Sequence, residues 1–387
     1  MELLNMKFCT GCSACSSICP NHAIIMAENF EGFLYPQIDF KQCVNCRQCV
    51  DVCTLDKKIE CKQEAYSIVN KNKIIYDHCS TTGIVSVLSK IILHEGGFVV
   101  GSCFENGEVK HIIVDNIDDV SKLAGSKYVQ SKIGNIFNKI KCILKQNKKV
   151  LFVGTPCQVA GLKGFLKREY NNLVTIDFIC HGVPSPKVWN AYFKQVTKEN
   201  NLGEIISVNF RDKEHGWAKY GLRITGTNNE YFSLKEKEPY LLAFLRNITL
   251  RKSCFNCKFK GNNRYSDITV GDLWGGQRYS SVFDNTGTGI VTIHTEKGRE
   301  LLKKNEDNIS SESIDFKEYF KYHNKSMIES PKMPGARKWF FREYLKNDNI
   351  ILTLIKAKQR TDLLYKLYSI KEAIKRRFRR ILNAIYG

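Results

Sequence analysis

The chain has 387 residues, 43% of them hydrophobic and 25% charged, which suits a packed protein of more than one unit and excludes a disordered polymer. Its formal charge of +20 invites a nucleic-acid reading, but from Pro331 onward 15 Lys/Arg stand against 4 Asp/Glu. The basicity therefore sits in a tail, which argues against a nucleic-acid-binding body. The start, Met1 to Phe8, lacks the basic stretch and longer apolar segment of a signal peptide. No apolar run approaches the ~18 residues needed to span a bilayer, so a cytoplasmic chain is expected. Sixteen cysteines in a reducing compartment point to metal ligation rather than disulfides.

The first element is a repeated cysteine run. Cys9, Cys12, Cys15 and Cys19, followed by Pro20, have the spacing C-x₂-C-x₂-C-x₃-C-P; Cys43, Cys46, Cys49 and Cys53 repeat it without the proline. Three closely spaced thiolates wrap one 4Fe–4S cube, and the x₃ step sends the fourth to the neighbouring cube. The spacing thus predicts one cluster on Cys9, Cys12, Cys15 and Cys53 and another on Cys43, Cys46, Cys49 and Cys19. The alternative is a pair of zinc knuckles. Residues 1–60 are expected to form this ferredoxin-like domain, with short strands at Ala23–Met26 and Gly32–Pro36.

A polar linker leads into an α/β body of two spans, 61–148 and 149–330. Ser80, Thr81 and Thr82 could cap a helix through Ile84–Ile92 that stops at Gly96-Gly97. Two strands, Gly97–Phe104 and Val109–Asp115, flank the hairpin turn signal Asn106-Gly107. Next comes a βαβ unit: strand Lys149–Gly154, helix Gln158–Arg168, strand Leu173–Ile179. Right-handed crossover makes the strands parallel and puts Cys157 and Cys180 on one sheet edge, where open α/β sheets bind ligands. Cys254 and Cys257 could join them in a third cluster, a zinc site, or as plain structural cysteines. Cys61, Cys79, Cys103 and Cys142 have no ligand spacing and read as buried small apolar residues. Residues 331–387 end in a basic helix. Leu363, Leu367, Ile370, Ile374, Phe378, Ile381 and Ile385 form one stripe, beside Lys371, Lys375, Arg376, Arg377, Arg379 and Arg380. This suits the plane of an anionic membrane, hence a peripheral contact with its inner face; the alternative is a helix packed on the body.

Several long motifs resemble the coenzyme F(420) hydrogenase/dehydrogenase beta-subunit family. They are Gly125–Ser131, Gly154-Thr-Pro-Cys-Gln-Val-Ala-Gly-Leu162, Cys180-His-Gly-Val-Pro-Ser-Pro186, Phe210-Arg-Asp-Lys with Gly216-Trp217, Ser253–Cys257 and Ser266–Trp274. The resemblance implies FAD beside a third 4Fe–4S cluster on Cys157, Cys180, Cys254 and Cys257. It also implies flavin contacts from the Gly154-Thr155-Pro156 turn with Gln158, from Gly125, Ser126, Lys127 and Tyr128, and from Ser80, Thr81 and Gly83. There Thr82 replaces a glycine of the family pattern. His181, Lys127 and Arg251 become candidate acid/base or orienting groups. The implied activity is that of an iron–sulfur flavoprotein oxidoreductase, passing electrons between a ferredoxin-like partner and a small-molecule substrate or a deazaflavin. Bacterial members of the family add an expected link to surface-polysaccharide synthesis. The other reading is a non-catalytic electron-transfer subunit of a larger dehydrogenase or hydrogenase.

Overall fold

The computed structural model of the chain describes residues 6–55, 57, 59–72, 79–284 and 286–386; for 372, 373 and 376–386 it describes the backbone alone. The N-terminal part carries α1 (Ala14–Ile18), the antiparallel pair β1 (Ile24–Glu28) and β2 (Leu34–Ile38), and α2 (Gln48–Asp51). Each short helix follows a residue in the left-handed region, Ser13 at φ 65° and Arg47 at φ 60°. The repeat seen in the cysteines is therefore a repeat of backbone shape.

The body is built on β3 (Glu64–Asn70), α3 (Ile84–His94), β4 (Phe98–Glu105), β5 (Glu108–Val114), α4 (Val120–Leu123), α5 (Ile136–Lys145), β6 (Val150–Val153), α6 (Pro156–Leu166) and β7 (Leu173–Phe178). The hairpin β4–β5 turns on Asn106 at φ 52° and Gly107 at φ 80°. Both central residues have positive φ, as the turn that matches strand twist requires. Then come α7 (Pro186–Glu199), β8 (Ile205–Asp212), β9 (Gly221–Gly226), β10 (Glu230–Leu234), α8 (Pro239–Leu245), β11 (Ile268–Asp272), β12 (Gly289–Ile293), α9 (Glu296–Lys303), β13 (Ile309–Ile314), α10 (Phe316–Tyr322), α11 (Ala336–Tyr344) and α12 (Ile350–Tyr386).

Eight strands form one mixed sheet in the order β13-β3-β12-β11-β7-β6-β4-β5. Strands β4, β6, β7 and β11 run parallel, so their carboxyl ends share one edge. Spans 61–148 and 149–330 both contribute to this sheet. Along β6 the side chains alternate between two cores: Val150 and Phe152 pack under α5 and α6, whereas Leu151 and Val153 pack with α3 and α9. A separate sheet, β10-β9-β8, packs with α7, α8, α11 and the start of α12 around Trp189, Phe210 and Tyr240.

The N-terminal part docks on α6 through two glycines. A Cβ at Gly161 would stand 2.8 Å from Cys12 Sγ, and one at Gly164 would stand 2.3 Å from the Val52 carbonyl oxygen. Arg337 of α11 closes the far side by binding Glu31 of the β1–β2 turn with both Nη atoms, at 3.0 and 2.6 Å.

Two expectations are corrected here. Ser80, Thr81 and Thr82 do not cap α3: its cap is Gly83 at φ 68°, without a side-chain hydrogen bond, because the hydroxyls of Ser80 and Thr81 bond elsewhere and Thr82 is buried. Cys142 is exposed on α5, and Cys61 is half-buried beside His294; only Cys79 and Cys103 are buried. In the tail, Leu363, Leu367, Ile370 and Ile374 are exposed. The side chains of Phe378, Ile381, Ile385, Arg376, Arg377, Arg379 and Arg380 lie outside the described residues. No helix among the described residues is long and apolar enough to cross a membrane.

Candidate cluster and cavity site

The x₂ turns and the two short helices bring Cys9, Cys12, Cys15 and Cys53 into mutual electrostatic range. Burial, with repulsion from neighbouring thiolates, pushes the Cys12 thiol up to about 11 and Cys15 further. Cys19, Cys43, Cys46 and Cys49 ring a second void with Pro20, Ile24 and Ile38. Here Cys46 is exposed, so this quartet stands at the surface. In each group the fourth cysteine comes from the other run.

A third quartet assembles from three places in the chain. Cys157 sits at the head of α6 and Cys180 just beyond β7. The loop before β11 brings Cys254 and Cys257 to them, and the thiols again feel one another. Burial raises the thiols of Cys157, Cys180 and Cys254, the last to about 12. Thr155 Oγ1 lies 3.1 Å from Cys157 Sγ, and the Gln158 side chain accepts from the Thr155 N–H at 3.0 Å. Cys53, Cys157 and Cys257 pack on the same small apolar cluster of Leu55, Ala160 and Phe259. The first and third quartets are thus neighbours. Among the described residues no three His, Cys, Asp or Glu side chains close on a single ion. A cube of iron and sulfide is larger than one ion, and an all-thiol donor set fits it.

Beyond the third quartet, on the shared strand edge, lies a cavity of about 480 Å³. That volume suits a bound cofactor or small molecule. Ser80, Thr81, Gly83, Gly125, Ser126, Lys127, Tyr128, Gly154, Thr155, Gln158, Cys180 and His181 all face it. Pro156 is the exception among the turn residues: it is buried in the first turn of α6. Ser80 Oγ accepts from the Ser126 N–H at 2.7 Å, tying two loops of the wall together. Lys127 is half-buried, and its Nζ donates to the carbonyls of Leu123 and Ala124 at 2.9 and 2.6 Å. Desolvation lowers its pKa to about 8. The His181 ring is held on both sides, Nε2 to Asn247 Oδ1 at 2.6 Å and Nδ1 to Ser326 Oγ at 3.3 Å. Burial lowers its pKa and favours the neutral ring.

Arg251 is not in this wall. It is buried between the N-terminal part and the body, with Nε donating to the Cys9 carbonyl at 2.9 Å. Its expected role at the reacting centre is therefore corrected: a guanidinium that far inside the docking face cannot meet a ligand in the cavity.

Sequence reasoning missed the group opposite the α6 turn. Asp272, at the end of β11, accepts from Thr81 Oγ1, from Arg211 Nη1 at 2.6 Å and from Trp217 Nε1 at 3.3 Å. Trp217 and Trp274 stack at 4.2 Å, and the Arg211 guanidinium lies over the Trp274 and Tyr220 rings. Nε and Nη2 of Arg211 are buried without a hydrogen-bond partner among the described residues. The Phe210-Arg211-Asp212 motif was the available signal.

His111, also in the wall, contacts the Val153 carbonyl at 3.1 Å through Nε2 and Ser131 Oγ at 3.0 Å through Nδ1, an arrangement for the neutral ring. Burial lowers its pKa from 6.5 to about 4. Between those values the unfolded chain binds the extra proton, so stability falls as pH drops from about 6.5 toward 4, by roughly 3 kcal/mol for this group. Thermal unfolding across that range should show a shallower acid limb for H111Q than for the unaltered chain; parallel limbs would refute the assignment.

Paired thiol quartets docked on an α/β body that presents a cavity define an iron–sulfur electron-transfer protein. Residues 8–56 match the 4Fe–4S dicluster domain, and residues 147–318 match the family described as the C terminus of the coenzyme F420 hydrogenase/dehydrogenase beta subunit. Residues 147–318 thus carry the C-terminal domain of that beta-subunit family, behind a dicluster domain at residues 8–56. An uncharacterized protein of Methanocaldococcus jannaschii is 26% identical over 324 residues, covering 73% of this chain and 84% of that protein. A solved structure of the F420-reducing nickel–iron hydrogenase complex from Methanosarcina barkeri matches with a TM-score of 0.46 at 16% identity, covering 78% of this chain and 91% of the matched one.

Proposed function

We propose that the chain is a flavin-dependent iron–sulfur oxidoreductase, passing electrons between a ferredoxin-type partner and a small organic two-electron substrate or a deazaflavin. One observation supports this most directly: Cys180 belongs both to a half-buried thiol quartet and to the wall of the cavity. A one-electron site would then adjoin a space sized for an organic ring. Iron–sulfur clusters handle single electrons, and a bound flavin holds one or two.

The protein's own part is positioning. Gly154, Thr155 and Gln158, the Gly125–Tyr128 loop, and Ser80, Thr81 and Gly83 would hold the flavin. The Gly154 and Thr155 N–H groups are already held by the Ile176 carbonyl at 3.1 Å and by Gln158 Oε1 at 3.0 Å, so this turn would shape the flavin wall rather than donate to a phosphate. His181, fixed from both sides, would orient the ligand, and Lys127, bonded to backbone carbonyls, would hold its own loop in shape. Arg211 fits a ligand that brings an acceptor, because each buried N–H without one costs about 1–3 kcal/mol.

The test is a visible spectrum with iron and flavin quantitation on anaerobically prepared chain. About twelve irons and one flavin per chain are expected. Roughly eight irons with no flavin would reduce the reading to its dicluster domain alone.

A further inference from the structure

Arg251 is fully buried, yet no carboxylate lies within salt-bridge distance of it among the described residues. Its donors meet neutral acceptors: Nε the Cys9 carbonyl at 2.9 Å, Nη1 the Gln130 side chain at 3.2 Å, and Nη2 the Leu34 carbonyl at 2.9 Å. The Tyr35 ring centroid lies 4.1 Å away. Nη2 also comes within 3.9 Å of Cys9 Sγ. A desolvated guanidinium without a counter-charge is strongly disfavoured. Of the groups it touches, only the cysteine sulfur can supply that charge.

Space for this contact is written into the repeat. Gly11, at φ 71°, stands where a Cβ would come 3.0 Å from Nη1 and 2.9 Å from the Leu34 oxygen. In the second run Asn45, at φ 54°, takes the corresponding place. The arginine lining that second void, Arg47, is exposed to water, where its field is screened. Of the two halves of the duplicated motif, the first has a buried arginine beside a ligand thiol, whereas the second has a solvated one at its surface.

We propose that Arg251 is the resident counter-charge of the cluster on Cys9, Cys12, Cys15 and Cys53, and that it raises the reduction potential of that cluster above that of its partner on Cys19, Cys43, Cys46 and Cys49. The inference rests on the ligation proposed above and not on the flavin. One-electron reduction adds one negative charge, taken from the neighbouring cluster or an external one-electron donor that is oxidised by the same count. No bond breaks and no proton moves. A fixed buried cation favours the reduced form, by roughly ten- to hundredfold at this range and burial.

The experiment is an EPR-monitored redox titration of the full, anaerobically loaded chain and of R251Q and R251K, with iron counted in each. In R251Q one couple alone should fall by about ten- to hundredfold in its reduction constant, each tenfold being about 59 mV for one electron. R251K, which keeps the charge, should restore most of that loss. Fully loaded R251Q with unmoved couples, equal movement of all couples, or R251K as displaced as R251Q would each overturn the proposal. If R251Q cannot be loaded, R251K decides: full loading supports a role of charge, and failure of both assigns the residue to shape alone and overturns it. A chain lacking flavin, or lacking iron on the third quartet, defeats the functional reading while leaving this titration to be done.

Discussion

Replacing Cys157 by serine should remove about four of some twelve irons per chain and leave the dicluster domain loaded. Cys157 is the quartet member that α6 itself supplies, and it shares the apolar cluster of Leu55, Ala160 and Phe259 with Cys53. Loss of the third cluster would break the connection between the surface quartet and the cavity, so reduced ferredoxin should no longer reduce an acceptor bound there. Activity should fall by two orders of magnitude or more, while the spectrum keeps the contribution of the first two quartets. Iron analysis beside the spectrum checks this. A C157S chain with undiminished iron would mean that Cys157, Cys180, Cys254 and Cys257 are structural cysteines.

The second large effect concerns the far side of the N-terminal domain. Glu31 and Arg337 are both nearly fully buried and joined by two hydrogen bonds, and Arg337 also donates to the Leu250 carbonyl at 3.0 and 2.8 Å. Removing Arg337 leaves the buried Glu31 with only the half-exposed Lys252, at 3.3 Å, as its remaining cation among the described residues, so R337M should cost about 3 kcal/mol, the low end for a broken buried pair. Replacing both, as E31L/R337M, should recover most of that loss, because two apolar side chains have no charge to bury. Denaturant midpoints of the loaded chains measure both. An R337M midpoint equal to that of the unaltered chain would show that the pair does not hold the domain on the body.

The residues that could be read in advance are those whose meaning is local. The C-x₂-C-x₂-C-x₃-C spacing encodes a turn, a short helix and an exchanged fourth cysteine within eleven residues of chain, and the fold gathers the eight thiols into two groups on that plan. Asn106-Gly107 encodes its own positive φ values. Likewise the βαβ unit needs only its hydrophobic runs and the handedness of crossover. Where local rules competed they misled. Ser80 and Thr81 have helix-capping side chains, but Ser126 and Asp272 claimed their hydroxyls. Arg251, a candidate acid/base or orienting group by family resemblance, is turned by packing toward Cys9 instead.

By itself, then, the sequence determined the grouping of the eight N-terminal thiols, the parallel βαβ core and the shared edge of Cys157 and Cys180. Each of these follows from spacing and chirality within a short stretch. Only the tertiary structure decided that β11 lies beside β7, which carries Asp272 and its partner Arg211 to the cavity and brings Cys254 and Cys257 to the other two thiols. Strand order is set by long-range burial of both sheet faces, and no periodicity within a segment records which distant strand it will pair with.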